Sequence, residues 1–216
     1  MKIIKNRRTI KAGVYLVIDP AMDEAVLVKK LEDALQEEIA ALQIWDHFSP
    51  HQNKAKLMEQ ISALGHKKNV PVLINNRWEY LKSTPLDGVH FDQIPEHYNK
   101  IKQSVNRPFI AGLTCNNDLS AVRWATENNI DYISFCSIFP SATDTSCELV
   151  NFDTIRETRR ITSMPVFLAG GIKPENINKL NELDFEGVAV ISGVMGADSP
   201  SQAIKTYSKQ LKTKTT

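Results

Sequence analysis

Eight short apolar runs rich in β-branched residues recur roughly every twenty to thirty positions along the chain, with amphipathic segments between them. The runs that read as strands are Val14–Ile18, Ile39–Ile44, Val70–Ile74, Gly88–Phe91, Phe109–Leu113, Tyr132–Phe135, Val166–Ala169 and Val188–Ile191. They are nearly continuous in apolar character, as expected of parallel strands covered on both faces. The intervening segments carry helix signals. Asp23 caps one whose Leu27, Leu31, Ala34 and Leu35 share a face, and Leu57, Ile61 and Leu64 repeat the pattern before Gly65. Leu119, Val122 and Ala125 form a third stripe, and Ile204, Tyr207 and Leu211 give the last segment its buried side. Pro174 and Pro200 sit where a first helical turn accepts proline. No Pro/Gly/Ser-rich linker divides the chain, so residues 1–216 read as one domain with a core of about 13–211. Strands alternating with about eight helices predict an α/β fold, a compact single-domain (β/α)8 barrel (TIM barrel); the competing reading is an open doubly wound sheet. The step from Asn75 to Asp87 leaves room for barely two helical turns and is the weakest point of the count.

A chain that is 42% hydrophobic and 24% charged can bury such a core. Lys+Arg 26 against Asp+Glu 25 leaves a net charge of +1, so no global field favours nucleic acid or an anionic membrane, and any bound anion must be held by local groups. There is no apolar run of about 18 residues to span a bilayer, and the charged start lacks the apolar core of a secretory signal. Three cysteines do not make a disulfide framework. The expectation is a cytoplasmic protein.

In a barrel the loops that follow the strands converge on one face, which confines chemistry to loops opening at Asp19, Gln43, Asn75, His90, Thr114, Cys136, Gly170 and Ser192. The strongest local signal is the last pair of loops, Ala169-Gly170-Gly171-Ile172 and Val190-Ile191-Ser192-Gly193. Glycines let backbone amides approach an anion, so these loops predict a phosphate-bearing ligand. Alternatively, Gly170 and Gly171 serve only a tight strand-to-helix turn.

From Tyr15-Leu-Val-Ile-Asp19 through Leu73-Ile-Asn-Asn-Arg77, Asp87-Gly-Val-His90, Asp131-Tyr-Ile-Ser134, Ile138 to Thr143, Val166 to Pro174 and Gly187 to Met195, the chain resembles the thiamine phosphate synthases and their relatives, the thiazole tautomerases. The resemblance implies a (β/α)8 barrel, often a homo-oligomer. Its synthases join a pyrimidine diphosphate to a thiazole phosphate, release pyrophosphate and need Mg²⁺.

Carried over position by position, the match divides in two. The family's thiazole-phosphate contacts fall on Ser141, Thr143, Gly170, Gly171, Ile191 and Ser192, where hydroxyls and amide-rich turns remain. The diphosphate half is altered. The family's Gln-x-Arg-x-Lys reads Gln43-Ile-Trp45-Asp-His47, its Asn-Asp pair reads Asn75-Asn76, and the lysine after its Thr-x-Thr is Asp144. The second metal carboxylate faces His90-Phe-Asp92-Gln-Ile-Pro95, with Asp92 two or three positions early. These changes remove more positive charge than the lost carboxylates return, and pyrophosphate departure relies on cations. The implied reading is a protein of thiamine biosynthesis that binds thiazole phosphate or thiamine phosphate, with impaired synthase chemistry. No cofactor is then expected, and Mg²⁺ only if the synthase reaction is retained. The alternatives are an active synthase and a non-catalytic binding or regulatory protein.

A tautomerase needs a proton donor and acceptor and no metal. The histidine such relatives use after the fifth strand falls on Asn116 here, which leaves His47 and Cys115 as catalytic candidates. Trp45 either stacks on a heterocycle or fills the space of the missing arginine. Arg77 either steers an anion into the mouth or makes an ordinary surface ion pair. Gln43, Asn75 and Thr114 complete the expected substrate contacts. His47 and His51 have a metal-like offset, but Pro50 interrupts the helix that would bring them together, and no metal site is expected.

Overall fold

The computed structural model describes residues 8–140 and 148–212. Eight strands, β1 Gly13–Ile18, β2 Ala41–Ile44, β3 Val72–Asn75, β4 Gly88–Phe91, β5 Ile110–Thr114, β6 Tyr132–Cys136, β7 Val166–Ala169 and β8 Gly187–Val190, form a closed parallel barrel in chain order. Closure is made by β8 returning to β1, with Gly13 opposite Gly187 and Leu16 opposite Val190, which removes the open-sheet alternative. Around it lie α1 Glu24–Ala34, α2 Lys54–Lys67, α3 Tyr98–Val105, α4 Leu119–Glu127, α5 Phe152–Ile161, the short α6 Ser192–Met195, and α7 Pro200–Lys212.

Two crossovers differ from the expected helices. Those after β3 and β7 are 3₁₀ segments, Trp78–Lys82 and Pro174–Leu180. A 3₁₀ turn rises about 2 Å per residue, so a short connection can cover the barrel wall while burying only Leu81, or Ile177 and Leu180. Strand starts also differ. Ile39, Ala40, Val70 and Phe109 are buried but precede the ladders, because an apolar run reports burial and not pairing.

The interior of the barrel is a second core, distinct from the larger one between strands and helices. Inward positions carry three aromatic rings, Tyr15, Tyr132 and Phe167, with centroids 5.5–5.7 Å apart. Room for them comes from small residues opposite. A Cβ on Gly112 would lie 2.1 Å from the Tyr132 ring.

At the opposite end from the site, three carboxylates repeat one device. Asp87, Asp131 and Glu186, each just before an even-numbered strand, accept the backbone N–H of Val72, Ala111 and Val166 on the preceding strand. These are amides at the starts of strands, which a barrel would otherwise leave unpaired. Asp87 also takes the His66 Nε2 at 2.8 Å and the Arg8 guanidinium at 2.9 Å. Its burial raises the carboxyl pKa, but the bonds from His66 and the Val72 N–H, with Arg8 beyond them, outweigh this and hold it below the usual range.

Candidate functional site

The strand C-terminal ends surround a cavity of about 600 Å³. Its inner wall is a single hydrogen-bonded row of side chains. Tyr15 Oη donates to Gln43 Oε1 at 2.7 Å and meets Tyr132 Oη at 2.8 Å. Tyr132 Oη lies 2.9 Å from His90 Nδ1, His90 Nε2 lies 2.9 Å from Thr114 Oγ1, and Thr114 lies 3.0 Å from Ser134 Oγ. Burial pulls the His90 pKa down to about 4, against the pull of Asp92, so the imidazole is neutral at neutral pH. Burial likewise raises the pKa of both tyrosines, which stay protonated.

Across the cavity, Gly170 and Gly171 turn the chain with φ of +87° and +64°. A Cβ on Gly171 would lie 2.5 Å from the carbonyl oxygens of Phe139 and Pro140, so no other residue fits. The turn is held from behind. Asn176 Nδ2 donates to Gly171 O, the Lys173 N–H donates to Asn176 Oδ1, and Tyr207 Oη donates to Ile172 O. Ile191 and Ser192 line the same side.

The cavity is poor in cations. Among the described residues Lys173 is the one lysine or arginine that lines it, and Asp92 the one carboxylate. Arg77 does not line it; its Nε donates to Asp46 Oδ2 at 2.6 Å on the surface, the ordinary ion pair. Asp92 is brought back to the pair after β3. Asn75 Nδ2 and Asn76 Nδ2 donate to its two oxygens at 2.8 and 2.7 Å, and its own N–H donates to Asn76 Oδ1. The described residues do not fit a two-carboxylate magnesium site, since they place one carboxylate, Asp92, in the lining, and each of its oxygens already accepts an amide hydrogen.

Of the residues expected from sequence, Gln43, Trp45, Asn75, Thr114, Gly170, Gly171, Ile191 and Ser192 meet in this cavity. Ser141 and Thr143 lie outside the described residues. The two catalytic candidates are placed elsewhere. His47 sits on the rim outside the cavity lining, its ring 4.9 Å from Trp45 and its Nδ1 3.0 Å from an Asp19 oxygen. Cys115 is buried in the outer core, away from the cavity lining, and burial and Asp118 push its thiol up to about 12. The sequence reading missed Tyr15, Tyr132, Ser134 and Lys173. The period-2 series Tyr132-Ser134-Cys136, polar groups on the inward side of an otherwise apolar strand, is the signal that could have found the wall.

A closed parallel barrel with a cavity at its strand C-termini and a double-glycine turn after β7 defines a (β/α)8-barrel protein. The family model described as thiamine monophosphate synthase matches residues 14–194, and the chain belongs to that family. It is 28% identical over 212 residues to a thiamine-phosphate synthase of Alkaliphilus oremlandii, covering 97% of this chain and 100% of that one. It is 25% identical to a thiamine-phosphate synthase of Clostridium tetani, covering 92% and 95%. In fold it is similar to a thiamine phosphate pyrophosphorylase from Pyrococcus furiosus, with a TM-score of 0.79, 20% identity and coverage of 94% and 96%. Among the described residues no helix is long and apolar enough to cross a membrane.

Proposed function

We propose that this protein is a thiamine-phosphate synthase, a transferase that joins a pyrimidine diphosphate to a thiazole phosphate and releases pyrophosphate. The observation that carries this reading is the match to synthases along nearly the whole chain, with the double-glycine turn and Ser192 facing one cavity. In it the thiazole phosphate lies against the Gly170-Gly171 turn and Ser192, with Lys173 supplying charge, and Trp45 stacks on a ring. Gln43, Asn75 and Thr114 hold the pyrimidine by its polar edge.

A second reading is favoured by the electrostatics: a family member that keeps the monophosphate half and has lost the diphosphate half. Arg77 is paired with Asp46, each Asp92 oxygen already accepts an amide hydrogen, and residues 141–147 contain no lysine or arginine. A diphosphate leaving group would find Lys173 as the sole lysine or arginine among the described cavity residues. A tautomerase has less support, because neither His47 nor Cys115 lines the cavity.

The test is pyrophosphate release from both substrates with Mg²⁺, run beside a thermal-shift panel of thiazole phosphate, thiamine phosphate and pyrimidine diphosphate. The synthase reading expects turnover at an ordinary enzymatic rate, about 1 per second or more. Stabilisation by thiazole phosphate without pyrophosphate release selects the second reading, and no stabilisation by any of the three ligands defeats both. Lys173→Met is expected to weaken binding of the thiazole phosphate about tenfold, with a smaller loss at high salt. Unchanged affinity, measured by calorimetry, would remove Lys173 from the phosphate contact.

A further inference from the structure

The six side chains of the inner wall, Gln43, Tyr15, Tyr132, His90, Thr114 and Ser134, are joined by five hydrogen bonds of 2.7–3.0 Å in series, and a longer sixth contact of 3.5 Å runs from Ser134 Oγ to His90 Nε2. Counting protons along this row fixes its direction, because each hydroxyl has one proton to donate and a neutral imidazole has one N–H. The row begins at the Gln43 carbonyl oxygen, which only accepts, so Tyr15 gives its proton there. Tyr15 then has nothing left to offer Tyr132, so Tyr132 donates to Tyr15. Tyr132 must in turn receive from His90, which puts the imidazole proton on Nδ1 and leaves Nε2 as an acceptor. Thr114 fills that acceptor, and Ser134 donates to Thr114. Any reversal between Gln43 and His90 leaves a buried donor facing a donor or an acceptor facing an acceptor, at about 1–3 kcal/mol; at the far end the shorter Thr114 contact, 2.9 Å against 3.5 Å for Ser134, selects Thr114 as the donor to Nε2.

We infer that the Gln43 amide, acting through Tyr15 and Tyr132, holds His90 in its Nδ1–H tautomer and thereby makes the Thr114–Ser134 edge of the cavity an acceptor for a ligand N–H or O–H. Gln43, Tyr15, Tyr132 and His90 are positioning residues in this scheme. The hydroxyls of Thr114 and Ser134 turn their protons inward along the row and present lone pairs to the cavity they line. The Gln43 amide nitrogen, with no role in the row, remains a donor. A ligand that fits offers a donor toward Ser134 and an acceptor toward Gln43. No proton leaves the row and no bond forms or breaks in it; what it sets is polarity.

The tautomer is read on the ligand-free full chain by long-range ¹H–¹⁵N correlation of the His90 ring, independently of the proposed reaction. Only the ligand half of the inference rests on the cavity being the substrate site. The expected spectrum has a protonated Nδ1 and an unprotonated Nε2. An Nε2–H tautomer, or an imidazolium at neutral pH, overturns the inference. Tyr15→Phe gives the sharper test, because the Tyr15 hydroxyl does not touch His90. Without it Tyr132 loses its acceptor and turns its proton to His90 Nδ1, so the imidazole proton is expected to move to Nε2. An unchanged tautomer in this variant overturns the scheme. If Tyr15→Phe does not fold, Thr114→Val on the cavity side takes its place. That change removes the donor to Nε2 alone, so Nδ1–H is expected to persist, and a switch to Nε2–H refutes the assignment.

The edge is probed with 4-aminopyrimidine against pyrimidine, since the pyrimidine is the ring placed beside Thr114. The amino compound is expected to bind the wild-type chain about fivefold to tenfold more tightly, and Tyr15→Phe to erase the difference. Equal binding of the two by the wild type, with the Nδ1–H tautomer confirmed, leaves the row standing and refutes the acceptor edge.

Discussion

Tyr132→Ala is expected to lower the unfolding free energy by about 3–5 kcal/mol, the range for deleting a large buried ring. The side chain is 1% exposed and stands at the centre of the barrel, against Tyr15 and Phe167 and over the face of Gly112. No neighbour can collapse into the space, because the surrounding positions belong to a closed sheet whose strands cannot slide independently. Its hydroxyl adds to the loss, since removing it strands Tyr15 and His90 Nδ1. Tyr132→Phe keeps the ring and isolates that smaller part, about 1–2 kcal/mol. Urea denaturation of the two variants separates packing from hydrogen bonding. Losses of similar size in both would mean that the ring itself contributes little.

Asp87→Ala is expected to cost about 1–3 kcal/mol, the range for leaving a donor without its acceptor, because its ion pairs with Arg8 and His66 are only partly buried. The alanine leaves Arg8, His66 and the Val72 N–H without their common acceptor. The same carboxylate governs behaviour in acid. Its folded pKa lies below the unfolded value, so its stabilisation is fully present above about pH 4 and disappears as pH falls through the folded pKa. The wild type is therefore expected to lose stability on acidification below pH 4 more steeply than the variant. Parallel acid limbs for the two proteins in a denaturation series across pH 2–6 would show that Asp87 is not the group responsible.

How far the sequence could be read depended on whether a property is local. The eight strands were legible because each is a short apolar run, and parallel pairing demands that character on both faces. The Gly170-Gly171 turn was legible because two adjacent positive φ values leave few residue choices. The 3₁₀ crossovers were not, since Trp78–Lys82 and Pro174–Leu180 carry helix-like signals and are shortened by the distance they must span. Cys115 and His47 show the limit for single residues. Both follow strand ends in the chain, yet one turns outward into the helix layer and the other stops at the rim.

Periodicity, glycine placement and charge, which neighbours along the chain already express, were enough for the barrel, its double-glycine turn and its shortage of cations. The tertiary structure alone decided that Asp92 would be clamped by Asn75 and Asn76, that Arg77 would be spent on Asp46, and that Gln43, Tyr15, Tyr132, His90, Thr114 and Ser134 would join into one row. Those contacts link residues from different strands and loops, and hydrogen bonds a few ångströms long exist only once closure of the barrel has set the distances between them.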